Sequence, residues 1–111
     1  MNNILSVLER YTFDNADDIA KALADDFRKR RIEKNLTRDQ VAERSGVALG
    51  NIVRFEQKGL ISLKNLIALA MSMDYTSEIK NIFSQPKYST MEELSQIRKN
   101  AGKSRAYKKE V

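Results

Sequence analysis

The sequence contains no cysteine and no histidine. Without cysteine there is no disulfide framework and no thiolate metal site. Without histidine the commonest general base and the commonest metal ligand are missing. Acidic pairs remain, at Asp17-Asp18, Asp25-Asp26 and Glu92-Glu93. Neighbours on a helix point about 100° apart, so such pairs do not converge on one site and read as helix starts and solvated faces. No catalytic residue, no metal site and no cofactor is therefore expected, and enzymatic activity is not expected either. Proline occurs once, at Pro86, and glycine four times, which argues against an all-β or low-complexity chain. No apolar run approaches the ~20 residues that span a bilayer. The start, MNNILSVLERYTFDN, lacks a basic opening and a long apolar stretch, so no secretory signal is read there. A cytoplasmic protein with no membrane partner is the expectation.

What is present is charge and helical periodicity. The chain has 111 residues, 32% of them charged, with a net charge of +5. That length fits one domain. Residues 98 to 111 carry Arg98, Lys99, Lys103, Arg105, Lys108 and Lys109 against Glu110, so the whole excess sits in this tail. The rest of the chain is neutral and needs only a local basic face to meet an anionic partner.

The pattern along the chain is all-α. Ile4, Leu5, Val7, Leu8, Tyr11 and Phe13 form an apolar N-terminal cluster, read as an arm over residues 1–16. Asp14 or Asn15 can cap a long first helix running to about Lys34, with Asp17 and Asp18 favouring its start. The stripe expected to face inward is Ile19, Leu23, Phe27 and Ile32, with Ala20 and Ala24 as small packing positions. Asn35 suits a left-handed helix end. Thr37 and Gln40 have the spacing of a capping box for a second helix ending near Ser45. Gly46 turns the chain into a third helix to about Gln57, and Gly59 breaks it. Ser62 caps a fourth helix with Leu63, Leu66, Ile67, Leu69 and Ala70 in the core. A fifth helix from about Thr76 is expected to bury Ile79, Ile82 and Phe83. Pro86 follows, and Thr90-Met-Glu-Glu93 reads as another capping box before a short amphipathic helix with Met91, Leu94 and Ile97. From Asn100 the polar, basic end is expected to be disordered alone. The resulting divisions are 1–16, 17–84 and 85–111.

The segment LTRDQVAERSGVALGNIVRFE, Leu36 to Glu56, carries most of the functional signal. Val41 and Ala42, then Val47, Ile52 and Phe55, fall on inner faces of two short helices joined at Gly46. Leu49, Gly50, Asn51 and Arg54 are left facing outward. A short helix with a polar face, held by a tight turn, fits a DNA major groove. This segment resembles the helix-turn-helix of the phage-repressor family, also called XRE. Leu36, Thr37, Val41, Ala42, Gly46, Val47, Ile52, Phe55 and Glu56 match its pattern, and the resemblance extends from about Leu23 to Phe83. Two positions depart: Arg38 stands where the family usually has Gln, and Ala48 where a Ser or Thr caps the recognition helix. The resemblance implies a five-helix, phage-repressor-like DNA-binding domain with a short N-terminal arm and a basic C-terminal tail.

Several residue roles follow. Thr37 and Arg38, at the start of the second helix, are expected to face a phosphate. Lys58 and Lys64 flank the loop that the family lays on the other strand, or are solvated surface lysines. Arg54 can read guanine O6 and N7, or instead hold a phosphate or an exposed ion pair. Asn51 can pair with adenine or bind phosphate. Ala48 and Leu49 can pack on thymine methyls, and Gly50 lets the backbone approach closely. The resemblance gives Glu56 a structural partner near the end of the first helix, and counting back from Leu36 that partner is Arg31.

RFEQKGLISLKNLIALA, with the later STMEEL and a basic end, also resembles antitoxin repressors of the HipB type. That resemblance implies a homodimer on double-stranded operator DNA, repressing its own operon, and a HipA-like kinase toxin held inactive. A stand-alone XRE regulator is the alternative. A protein-interaction adaptor that has lost DNA binding is another, which the apolar Ala48-Leu49-Gly50 run keeps open.

Overall fold

The computed structural model describes residues 15–106, and the expected arm around Ile4, Leu8 and Phe13 lies outside them. The described residues are all-α. Six helices follow in order: α1 (Ala16–Glu33), α2 (Arg38–Ser45), α3 (Leu49–Lys58), α4 (Leu63–Ser72), α5 (Thr76–Lys80) and α6 (Met91–Asn100). The chain divides into two compact units between Ile79 and Lys80, where the sequence pattern put a division after residue 84. Among the described residues no helix is long and apolar enough to cross a membrane.

Local chemistry sets the helix ends. The Asp18 amide donates to the Asn15 side chain at 2.9 Å, capping α1. Asn35 takes the left-handed conformation (φ 54) after α1, and Asp74 does the same (φ 69) between α4 and α5. These two turns are linked by Lys34 Nζ and Asp74 Oδ2 at 3.5 Å. The Asn65 amide donates to Ser62 Oγ at 3.2 Å and caps α4. At α6 the Glu93 amide donates to Thr90 Oγ1 at 3.1 Å. The Glu93 carboxylate accepts from the amide and hydroxyl of Ser89, at 3.2 and 3.1 Å, one residue earlier than a capping box requires.

One core lies within the first unit: Ala24, Leu36, Val41, Val47, Ile52, Phe55, Leu69 and Met73. α1 packs on α3, and α2 packs on both α3 and α4. Phe27 of α1 meets Phe55 of α3 with ring centroids 5.6 Å apart and planes tilted by 55°.

Several expected core positions prove exposed. On α1, Ile19, Leu23 and Ile32 are 54%, 46% and 51% exposed. The inward face is instead Ala20, Ala24, Phe27 and Arg31, with Ala24 and Arg31 buried. Phe27 and the two alanines are inward as expected, while Ile19 and Leu23 lie to one side of that face and Ile32 to the other. Small alanines allow a close approach: a Cβ on Gly59 would lie 3.0 Å from the Ala20 carbonyl carbon and the Lys21 nitrogen. On α4 the core face is Leu66, Leu69 and Met73, so Leu63, in the first turn, is exposed. α5 has only five residues and stops at Lys80, before Ile82 and Phe83, which are exposed rather than inward.

Candidate nucleic-acid interface

The turn between α2 and α3 is built from its caps. The Thr37 amide donates to Gln40 Oε1 at 2.8 Å, and the Gln40 amide donates to Thr37 Oγ1 at 3.1 Å. This reciprocal pair satisfies two first-turn donors and fixes where α2 begins. Gly46 closes α2 in the left-handed conformation (φ 76), its amide donating to Ala42 O at 2.9 Å. An L side chain is disfavoured at that φ. The Val47 amide then donates to Ser45 Oγ at 3.1 Å.

α3 starts without a side-chain cap, because its N-cap is Ala48. The Asn51 and Ile52 amides both donate to Ala48 O. Val47 and Ile52 hold the N′ and N4 positions of a hydrophobic staple, and both are buried in the core. Apolar anchoring thus replaces the missing hydroxyl. At the far end Gly59 (φ 70) donates its amide to Phe55 O at 2.8 Å, against the backbone of α1.

The third anchor is ionic. Arg31 Nε and a terminal Arg31 nitrogen donate to Glu56 Oε2 and Oε1 at 2.7 and 3.0 Å. A further Arg31 nitrogen donates to Leu36 O at 2.8 Å. Glu56 Oε1 also accepts from Arg38 Nε at 3.0 Å. The two residues paired from sequence, Arg31 and Glu56, are therefore brought together, and α1, the loop after it, α2 and α3 meet at one carboxylate. Burial of Glu56 pushes its pKa up. Hydrogen bonds from Arg31 and Arg38, with their charges, outweigh that and hold it below the ordinary carboxylate value.

Arg38 was expected to lend its charge to a phosphate, yet its Nε is committed to Glu56. Bidentate Arg31 leaves Glu56 Oε1 with a free lone pair, and α2 starts within reach of it. The Arg38 side chain remains 35% exposed.

The outer face of α3 is open. Ala48, Leu49, Gly50, Asn51, Arg54 and Lys58 are exposed, as are Thr37 at the start of α2 and Lys64 on α4. At 100° per residue Gly50, Arg54 and Lys58 share one face, with Asn51 on its edge. Leu49 lies on the flank beside half-buried Val53. Gln57, seven residues after Gly50, is exposed on the same face, a position for which no role was expected. The i+7 spacing from Gly50 was its available signal. Apart from its chain neighbours and its own helix backbone, nothing among the described residues lies within 4 Å of where a Gly50 Cβ would be. Among the described residues no cluster of three or more His, Cys, Asp or Glu could hold a metal ion.

A family model described as a helix-turn-helix matches residues 27–79. The match takes in α2, the Gly46 turn and α3 whole, and supports the XRE, phage-repressor-like assignment. Residues 27–79 are thus a helix-turn-helix of the kind found in DNA-binding transcriptional regulators, whose ligand is double-stranded DNA. STMEEL and the basic end lie outside the matched residues. No curated protein matches the chain.

Proposed function

We propose that this chain is a sequence-specific repressor that binds operator DNA as a dimer and serves as the antitoxin of a HipA-like kinase, acting in the cytoplasm by binding rather than by catalysis. The observation that supports DNA reading best is the contrast between the two sides of α3. Its inner side is fixed by Ile52, Phe55 and Glu56, all buried. Its outer side presents Asn51 and Arg54, both exposed and neither engaged by another described side chain. A rigid helix with a free arginine suits bidentate contact with guanine in the major groove. Ala48, Leu49 and Gly50 offer apolar contact and close backbone approach rather than further hydrogen bonds. One short helix contacts few base pairs, so a two-fold site with half-sites ~34 Å apart is expected.

The antitoxin role rests on the resemblance at RFEQKGLISLKNLIALA and STMEEL. A kinase-facing surface must lie off the α3 face. Met71 (56% exposed) and Tyr75 (37%) fit such a surface. Met73, between them in sequence, is 2% exposed and belongs to the core, so it is not part of that surface.

Gel shifts with the DNA upstream of the gene test the reading directly. Arg54→Ala should weaken operator binding by roughly 1–3 kcal/mol and relax the preference at one base pair. Equal weakening on all sequences makes Arg54 a phosphate contact. No binding to any DNA favours the adaptor reading, which the apolar start of α3 supports. Co-expression with the neighbouring gene product and size-exclusion chromatography test the antitoxin role; without a stable complex, a stand-alone regulator remains.

A further inference from the structure

The division of charge follows the division of structure. The first compact unit, through Ile79, carries as many lysines and arginines as aspartates and glutamates. The second, from Lys80, has eight lysines and arginines against three glutamates, which is the whole net charge of +5. A neutral helix-turn-helix unit is poorly equipped for the non-specific part of DNA affinity, which comes from cations replacing condensed counterions. Several of its cations are also committed internally: Arg31 and Arg38 to Glu56, Arg30 to Glu33, and Lys34 to Asp74.

The second unit differs in its net charge and its exposure. None of its described residues is buried, and Leu94 and Ile97 of α6 are only half-buried. Two of its three acids, Glu92 and Glu93, sit in the first turn of α6, and Arg98 and Lys99 in the last. Lys103, Arg105, Lys108 and Lys109 follow. The cations on α6 do not gather on one face, since Arg98 and Lys99 point about 100° apart. Such an array suits a uniform line of phosphates rather than a shaped ligand.

We infer that residues 98–111 form a second, sequence-independent DNA-binding element that supplies most of the counterion-release affinity of the intact chain. This rests on the reading of α3 as a DNA reader. The α3 face selects the site, and the tail raises affinity for phosphates beside it. Both elements belong to one chain, so DNA bound by α3 raises the local concentration of phosphates around the tail.

The test compares the intact chain with a variant in which Arg98, Lys99, Lys103, Arg105, Lys108 and Lys109 are all changed to Gln. Fluorescence anisotropy follows binding to two probes, the upstream DNA and a mixed-sequence duplex, between about 50 and 200 mM potassium chloride. Each phosphate neutralised contributes about 0.9 to the slope of log affinity against log salt, so the variant's slope should be shallower by about 2 to 5. Binding to the mixed duplex should fall with it, while the ratio between the two probes stays the same. Arg54→Ala should do the reverse, reducing the ratio and leaving the slope within about 1. An unchanged slope in the six-Gln variant overturns the tail's role and leaves the α3 reading standing. No DNA binding by the intact chain overturns the α3 reading itself. A third arm uses phosphatidylcholine vesicles with roughly one-third phosphatidylserine. Loss of vesicle binding in the variant, with an unchanged DNA slope, assigns the tail to a membrane surface and also overturns the inference.

Discussion

Glu56→Gln is the most informative single change in the helix-turn-helix unit. It removes the charge from a side chain that is 1% exposed and accepts from both Arg31 and Arg38. The two arginines respond differently. The Arg31 side chain is 10% exposed and cannot reach water without opening the contact between α1 and α3. The Arg38 side chain, 35% exposed, can turn outward. Breaking a buried ion pair from one side costs about 3–5 kcal/mol. The glutamine keeps one acceptor oxygen, so the lower end, about 3 kcal/mol, is expected. The Arg38 share adds about 0–1 kcal/mol because solvent screens it. Each kcal/mol lowers the Tm of a domain of this size by about 4–8 °C, so Glu56→Gln should lose about 12–24 °C. Thermal and urea unfolding followed by far-UV circular dichroism measure this. Arg31→Met should cost about as much, Arg38→Ala less than about 1 kcal/mol. The double variant Arg31→Met/Glu56→Leu should recover most of the loss, since apolar groups replace a buried pair without an orphan charge. A loss below about 1 kcal/mol for Glu56→Gln, or equal losses for Arg31→Met and Arg38→Ala, would refute the account.

Because the folded-state pKa of Glu56 is lowered, its contribution is complete above the unfolded value of about 4.3 and is lost as pH falls through the folded value; stability curves of wild type and Glu56→Gln should therefore converge in acid, which urea midpoints against pH will show. Gly59→Ala should destabilise more than Gly46→Ala in the same assay: both positions have positive φ, but only at Gly59 does the new Cβ meet backbone at 3.0 Å. Ala48→Ser should raise stability by about 0.5–2 kcal/mol by supplying the cap α3 lacks, and no gain would mean the staple already fixes that end. Ile19→Ser should change unfolding by no more than about 1 kcal/mol, while Ala24→Leu should cost about 1–3 kcal/mol by overpacking; the opposite order would restore the apolar stripe of α1 as its core face.

How much of this fold was readable depended on how local the signal was. Thr37 with Gln40, Ser62 and Asn15 cap their helices through contacts three residues long, and each is visible in the sequence. Gly46 and Asn35 were readable for the same reason: a left-handed turn restricts residue type at one position. The face of α1 was readable only in part: Phe27, Ala20 and Ala24 pack as expected, but hydrophobicity also points to Ile19, Leu23 and Ile32, which are exposed. What decides between them is the close approach of Gly59 to the α1 backbone, a contact between residues far apart in sequence. The end of α5 failed similarly. Ile82 and Phe83 continue an apolar spacing, but the helix stops at Lys80 and the second unit begins there.

The same distinction separates the two halves of the interface. The outward face of α3 was legible because it is what remains once Val47, Ile52 and Phe55 are turned inward, and periodicity alone gives that. The Arg31–Glu56 contact was reached through a pattern shared with a family, since nothing local links residues 25 apart. Arg38 escaped both routes. Its position at the start of α2 suggested a phosphate, and only the folded chain brings it to the second oxygen of Glu56. That contact ties the start of α2 to the carboxylate that anchors α3, so the two helices are seated together through one group. Under the proposed reading, contacts that position the protein on DNA and contacts that read it would be held in one rigid frame, a condition that direct base readout needs.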